Sequence, residues 1–593
     1  MMWSLCFWLA LGILLLSALI PTLSRWAGVR RSRVKLFYSL FVGVLLASVV
    51  MFWPVHHSGG LWAGVRAAFL CLFNAIQLYA AGCEFAVVAD GMGQCPQELA
   101  LAYQVVFAGM FVLAPLFTFG FVLSLFRNIT AYLRYLRGWF RDAYVFSELN
   151  DRSLQLATDI RNKHPKAMIV FTDVFEKDDE KSFEMTEAAE KLGAIFFKTD
   201  IAVLECKYHS RKRKLMFFTI GEDETEDLDQ TLKLIERYRD REDTHIYVFS
   251  TRIESELLLT AVDKGKVRVR RINEVQSLVD RLLYEQGKTI FDTAREGEDG
   301  IRRIGAVIVG MGRHGDQMLR SLSWFCQMDG YELTVDAFDK DKLALEKFTA
   351  KAPELMSEKI NGNQIPGETR YQITIHPDMD VETAAFAGEI GQLRQTTYVL
   401  VALGSDELNI NTAVRLRMYF ERIGIHPVIQ AIVYDPHQKK ALQGIRNYRN
   451  VPYDIHFLGD REEAYTEAVI LGTALEEEAL RSHLKWGKEE EFWTYEYNYR
   501  SSIASAIHRQ ARRWCQIPGS DKRESELTER ERDIIEVLEH RRWNAYMRSE
   551  GYVYSGSPDP KTRNDLAKMH HDLVPFEVLS EEDKRKDSAV ATG

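Results

Sequence analysis

The sequence predicts a multi-domain chain: an α-helical membrane domain, two α/β doubly wound domains, and a small, mostly helical domain at the end. Three observations predict it. Apolar residues crowd into the first 126 of 593 positions, in runs long enough to cross a bilayer. Short apolar strands then alternate with amphipathic helices twice over, the order of a parallel sheet covered on both faces. One of those strand–turn–helix steps carries the glycines Gly310, Gly312 and Gly315.

Composition narrows the function. The net charge of −9 gives no global attraction to nucleic acid, so no nucleic-acid partner is expected. The seven cysteines show no CxxC or Cys/His ligand spacing, which argues against zinc, and no metal site is expected. Cys206, Cys326 and Cys515 fall in the charged remainder and read as reduced packing residues.

Residues 1–141 read as the membrane domain. Trp3–Leu23 is an uncharged apolar run without a basic start, followed by a basic segment, so it reads as a retained anchor rather than a signal peptide. Leu36–Val55 and Tyr103–Phe126 are two further spans, the last tolerating Pro115 and Gly120. Leu61–Ala81 lies between them and carries Arg66, Asn74 and Gln77.

Loop charges set the topology. Arg25, Arg30, Arg31, Arg33 and Lys35 follow the first span; Arg127, Arg134, Arg137 and Arg141 follow the last. The positive-inside rule makes both cytoplasmic, so residues 127–593 are expected in the cytosol below a multi-pass inner (plasma) membrane domain in contact with lipid. Loops 56–60 and 82–99 carry no Lys or Arg and are expected outside. Segment 61–81 then starts and ends outside, so it must dip in and return as a re-entrant pore helix, or lie at the interface. Four plain spans would place five basic residues outside. Asn74, Gln77 and Glu84 are the expected pore residues. The following loop, A-A-G-C-E-F-A, has no TVGYG potassium filter, so the ion is left open. Glu84 and Asp90 form an acidic ring or are simply solvated. Cys83 and Cys95 share the loop and are either a disulfide or two thiols.

Residues 142–300 read as a first α/β domain with a degraded turn. Ala143–Phe146 is a strand, but S-E-L-N-D-R-S stands where a glycine loop belongs, and Glu148 would repel a pyrophosphate. Ala167–Thr172 (ending at Asp173), Ala194–Phe197, Leu215–Ile220 and His245–Ser250 continue the alternation. The helical patterns Asp227–Tyr238 and Glu274–Tyr284 separate strands. Glu285–Gly300 reads as a linker.

Residues 301–485 repeat the pattern with the glycines intact. Ile304–Val309 is a buried strand; G-M-G-R-H-G follows (Gly310, Met311, Gly312, Arg313, His314, Gly315); Gln317–Cys326 is a helix; Leu333–Phe338 ends at Asp339 and Lys340. This is the dinucleotide fingerprint of a Rossmann-like domain. The first glycine makes the turn, the second admits a pyrophosphate, the third lets helix meet strand, and the terminal acid takes a ribose. The expected cofactor is NAD(H) or another adenine nucleotide, on the helix N-terminus; a Rossmann unit kept only as scaffold is the plainer alternative. Gln372–Ile375, Thr397–Leu403, Val428–Val433 and Asp454–Phe457 complete the strands. The loop after Leu403, with Ser405, Asp406 and Asn409, falls at the carboxyl edge, where ligands of this fold bind.

Two such units in tandem behind a short membrane domain resemble the RCK family, the regulators of potassium conductance related to the NAD-binding subunits of Trk-type potassium uptake. The resemblance covers roughly 142–480 and rests on V-I-V-G-M-G-R-H-G, the Asp339 strand end and L-G-S-D-E-L-N-I-N. It implies a homo-oligomer, a tetramer with eight units in a cytoplasmic ring, in which nucleotide or ion binding pulls on the inner pore helix. The chain departs from the family in lacking a potassium filter and the first set of glycines.

Residues 486–593 form the last module. Phe492–Trp514 is rich in aromatics and Arg, and a charged helix follows over Glu529–Glu550. Glu539–Tyr554 and Ala567–Asp587 together resemble the ryanodine-receptor (RyR) repeat, with His540, Trp543, Gly551, Tyr554, His571, Leu573, Val574, Pro575, Leu579 and Lys584 in the family's order. The resemblance implies a sensor of nucleotide-type small molecules. Tyr499, Arg500, His540, Trp543, Tyr554, Lys568 and His571 are the expected pocket; a core Trp with capping His is the plainer alternative.

Three functions fit these readings. The first is a ligand-gated ion channel, expected to conduct cations. The second is an anti-phage defence effector that depolarises the membrane on binding a nucleotide messenger. The third, a membrane-tethered NAD-dependent oxidoreductase, lacks a recognisable acid–base pair, so no enzyme and no catalytic residue are expected.

Overall fold

The computed structural model describes residues 1–26, 32–57, 59–83, 88, 92–172, 180–206, 209–357, 370–459 and 461–584, with backbone alone over 20–26, 32–38 and 120–130 and at a few single positions. The chain forms two compact units, Met1–Arg134 and Tyr135–Gly593.

The first unit is helical: α1 (Met2–Trp26), α2 (Ser32–His56), α3 (Leu61–Tyr79) and α4 (Gln97–Arg137). Within α1, α2 and α4 the segments Met2–Leu19, Ser39–His56 and Gln97–Phe119 are long and apolar enough to cross a membrane. α1 and α2 run antiparallel, with Ser39 Oγ donating to the Ser17 carbonyl at 2.8 Å. Small residues let their backbones close in: a Cβ on Gly43 would meet Ser17 at 2.4 Å, and Ala10 and Ala47 are wholly buried. The outward faces stay apolar, with Leu5, Trp8, Phe69, Leu101 and Val112 all exposed. Apolar surface on this scale belongs against lipid or other protein.

The second unit holds two parallel sheets. The first runs β3-β2-β1-β4-β5-β6, with β1 Ala143–Phe146, β2 Met168–Phe171, β3 Ile195–Phe196, β4 Leu215–Thr219, β5 Thr244–Phe249 and β6 Arg268–Ile272. After β7 (Arg295–Glu296), the second runs β10-β9-β8-β11-β12-β13, with β8 Arg302–Val309, β9 Tyr331–Phe338, β10 Tyr371–His376, β11 Tyr398–Val401, β12 Val428–Ile432 and β13 Ile455–Leu458. Both have the 3-2-1-4-5-6 order of a doubly wound fold, with the switch point beside the first strand of each. Ala143 pairs with Met168 and Leu215; Val307 pairs with Asp336 and Val399. The central strands are buried on both faces, which is why they read as continuous apolar runs.

Six further helices position the sites: α5 (Glu274–Gln286), α6 (Arg313–Phe325), α7 (Ala344–Lys351), α8 (Asp406–Arg422), α9 (Glu496–Trp514) and α10 (Glu529–Ser549). The two sheets trade coverings. α5 follows the first sheet, yet its Val279 and Leu283 share a core with Leu319 and Leu322 of α6. Tyr465, Val469 and Leu471 follow the second sheet, yet pack with Phe218 and Phe249 of the first. α9 and α10 join the core of the second sheet through Ile503, Ile507, Tyr546 and Met547. Trp324 meets Tyr546 edge-to-face at 6.3 Å between ring centres.

One expectation gives way, and one strand has no apolar signature. Glu285–Gly300 is no linker: α5 runs to Gln286, a short helix Lys288–Asp292 buries Ile290 and Phe291, and β7 pairs antiparallel with β8. The flanking charges hid two apolar anchors. β6, R-V-R-R-I, went unread because arginines dominate it. They are neutralised from a distance, Arg270 by Glu476 and Arg271 by Glu496.

Candidate functional site

The fingerprint turn has the geometry its glycines require. Gly310 sits at φ +96°, where a Cβ would press 2.5 Å from the Ala402 carbonyl oxygen. A Cβ on Gly315 would lie 1.8 Å from the Gly310 carbonyl oxygen, so only glycine lets α6 meet β8. Gly312 caps α6 and would meet nothing within 4 Å. The first N–H groups of α6 have no acceptor within the helix and emerge beside that open space. Backbone donors, a helix N-terminus and room for a phosphate therefore coincide, and these residues fit a nucleotide phosphate.

Asp339 closes the turn. Its Oδ2 accepts the Met311 N–H at 2.6 Å and its Oδ1 the Asp341 N–H at 2.7 Å. A carboxylate has about four acceptor positions, so both oxygens retain a lone pair for a ribose. Lys340 is exposed beside it. His314 is half-buried, 3.3 Å from the Tyr434 hydroxyl. Burial, then the nearby Arg313 charge, pulls its imidazole down to about 4, so it is neutral near pH 7.

The strand-end loop is held by its own side chains. Ser405 caps α8 by accepting from the Leu408 N–H. Asp406 accepts from the Tyr434 and Asp435 N–H groups at 3.0 and 2.9 Å. Asn409 is wholly buried, accepting from Leu403 N–H at 2.6 Å and donating to the Ile432 carbonyl at 2.8 Å. Asn409 thus ties β11 to β12 and shapes the loop from behind, with no face toward a ligand.

Arg313 and His314 also line a cleft of about 340 Å³ with Asn150, Arg152, Thr251 and Tyr465. The carboxyl edges of the two sheets thus share one cleft. On the first sheet, side chains fill the turn: Asn150 caps the helix Asp151–Lys163 and donates to the Ile220 carbonyl, Ser147 accepts from Ile220 N–H, and Glu148 accepts from Glu222 N–H. Asp173 lies outside the described residues.

The C-terminal residues do not form one pocket. His540, Trp543 and His571 line a cavity of about 380 Å³ with His570, Arg563 and Tyr497. Tyr499 and Arg500 line a different one, against β6 and α5. They follow Tyr497 on α9, and successive residues of a helix face different ways. Tyr554 and Lys568 line neither. Tyr554 N–H donates to Glu354, and Lys568 donates to the Glu550 carbonyl at 2.7 Å. In the first cavity His540 Nε2 meets the Val574 carbonyl at 2.8 Å, and Trp543 packs 4.9 Å from His570. His571 Nδ1 is buried without a hydrogen-bond partner. Burial drives His570 down to about 3. His570, His571 and Asp572 stand close enough to consider an ion. The two rings stack only 6° from parallel, so their lone pairs run side by side and do not converge.

In the helical unit, the Tyr79 hydroxyl, at the end of α3, donates to the Phe41 carbonyl at 2.6 Å. The Tyr103 hydroxyl, early in α4, donates to the Met51 carbonyl. Residues 41 and 51 lie about 15 Å apart along α2 at 1.5 Å per residue. Tyr79, at the end of α3, therefore meets α2 nearer its Ser39 end than Tyr103 of α4 does. Asn74 is buried with its Nδ2 2.7 Å from His56 Nε2, and Gln77 is half-buried in the last turn. Glu84 lies outside the described residues. Cys83 and Cys95 are not bonded to each other.

Compared with known proteins, the chain matches no family model and no curated sequence.

Proposed function

We propose that this chain is the subunit of a ligand-gated ion channel of the inner (plasma) membrane, built like a pore-loop channel on an RCK-like cytoplasmic part. What supports the reading is where α3 ends: its Tyr79 meets α2 at Phe41, while Tyr103, early in the next helix, meets α2 at Met51, toward the His56 end. A helix that enters from one side and stops part-way is tolerated in a bilayer only when protein or water covers its end. Four copies around an axis supply that cover, which is why the reading includes a tetramer.

The fingerprint supports the trigger. Gly312 is open, Gly310 and Gly315 fix the turn, and Asp339 retains acceptor positions, so the second sheet would hold an adenine nucleotide such as NAD(H). α4 continues without a break to Arg137, six residues before β1, and Tyr135 in its last turn is buried near Phe197 and His209. A change in the α/β part on ligand binding would thus reach a membrane helix through a short connection. The cavity at His540, Trp543 and His571 supports a second, RyR-like sensor for a nucleotide-type ligand.

Cysteine labelling tests the topology beneath this reading. Single cysteines replacing His57 and Gln94 should both react with an impermeant reagent from outside, and one replacing Arg31 should not. Reaction of positions 57 and 94 from opposite sides would make α3 a true span and remove the pore loop.

A further inference from the structure

The cavity that takes Tyr499 and Arg500 has a use of its own. It measures about 130 Å³ and lies between β6 and α5 on one side and α9 on the other. That volume approaches the roughly 150 Å³ of an engineered cavity that holds benzene, so it takes one ring or a short branched chain. Part of its wall is apolar: Leu259, Val469, Leu475 and Ile503.

The charges in the wall are nearly all paired. Arg270 meets Glu476, Arg271 meets Glu496 and Glu256, and Arg500 meets Glu550 at 2.9 Å. Lys264 donates to the Thr494 carbonyl at 2.9 Å. Asp280 is the exception. It lines the cavity, yet among the described residues it accepts no hydrogen bond and pairs with no cation. Burial pushes its carboxyl up to about 7 despite Arg500 and Arg270 nearby. Arg271 serves two carboxylates and Arg281 meets Glu285 at 3.0 Å, so the cations of the wall have other partners and none pairs with Asp280.

A half-buried carboxylate without a partner is costly, and a bound cation removes that cost. We propose that this cavity is a binding site for a small organic cation, whose charge lies against Asp280 and whose apolar body lies against Leu259, Leu475 and Ile503. The site is independent of the fingerprint, because α5 and α9 supply it and no glycine of the turn lines it. A cation held here joins the helix that follows the first sheet to the helices that cover the second.

The probes are benzylamine and its uncharged isostere benzyl alcohol, titrated calorimetrically into the full chain in detergent near neutral pH. Benzylamine should bind at least about tenfold more tightly than benzyl alcohol, and Asp280→Asn should abolish that preference. The comparison of the two probes on the wild-type chain stands even if the variant is poorly folded. Equal affinities on the wild type, no saturable binding of benzylamine, or an undiminished preference in folded Asp280→Asn would each overturn the proposal.

Discussion

Asp339 and Met311 are joined across the mouth of the second sheet: the carboxylate accepts the Met311 N–H at 2.6 Å and so fixes the turn that leads into α6. The same carboxylate is the proposed ribose acceptor. Asp339→Ala should therefore weaken adenine-nucleotide binding by about 10- to 150-fold, the range of one charge-assisted hydrogen bond of roughly 1.5–3 kcal/mol. Gly312→Asp should weaken it at least as much while leaving the fold intact, because its Cβ enters open space and its charge meets the phosphate. Gly315→Ala should lower Tm as well, since its Cβ would overlap the Gly310 carbonyl. Titration of NAD, NADH, ATP and ADP into each full-length variant checks all three. Ser147→Ala should leave affinity unchanged.

Much of the α/β part was legible because a parallel strand buried on both faces is a bare apolar run, and G-M-G-R-H-G admits few conformations. β6 was not, because its arginines find carboxylates far along the chain, such as Glu476 and Glu496. The helix at Ile290–Phe291 was hidden by flanking charge. The separation of Tyr499 and Arg500 from His540 depends on which faces of α9 and α10 are covered, and that follows from packing against α5 and α6 rather than from local pattern. The exchange of coverings between the sheets has no sequence signal either, since the crossing segments read as ordinary amphipathic helices.

That exchange makes a prediction about stability. Residues 301–485 share their core with α5, α9 and α10, so the second sheet should not be stable as an isolated fragment. Met547, wholly buried on α10, contributes to that core. Met547→Ala should destabilise the second unit by about 2–5 kcal/mol, read as a lower Tm in thermal unfolding, and should weaken nucleotide binding at elevated temperature. An unchanged Tm would mean that α10 is only loosely docked.

Two buried groups predict opposite pH dependences. His508 is wholly buried with Nε2 2.9 Å from the Gln327 carbonyl, and burial, then Arg512, pulls it down to about 3. The unfolded chain binds the extra proton at an ordinary pKa of about 6.5, so this histidine costs stability as pH falls from about 6.5 toward about 3. Asp280 is pushed up to about 7, so the folded chain holds the extra proton. It therefore costs stability as pH rises from about 4 toward about 7. His508→Asn should flatten the acid limb of a Tm–pH curve, and Asp280→Asn should raise Tm most above neutral pH.

On the proposed reading, a re-entrant α3 together with the apolar outer faces of α1, α3 and α4 predicts assembly. In mild detergent, mass photometry should find the mass of four chains of 68.3 kDa plus detergent. A monomer or a plain dimer would argue against a shared pore.

Ion flux tests the channel reading most directly. Purified protein in liposomes, loaded with a cation-sensitive dye, is exposed on its cytoplasmic side to NAD, NADH, ATP and ADP in turn. At least one nucleotide should open a cation conductance in the wild type, and Gly312→Asp should abolish that response. No flux with a nucleotide that calorimetry shows to be bound, or the same flux in Gly312→Asp as in the wild type, would contradict it.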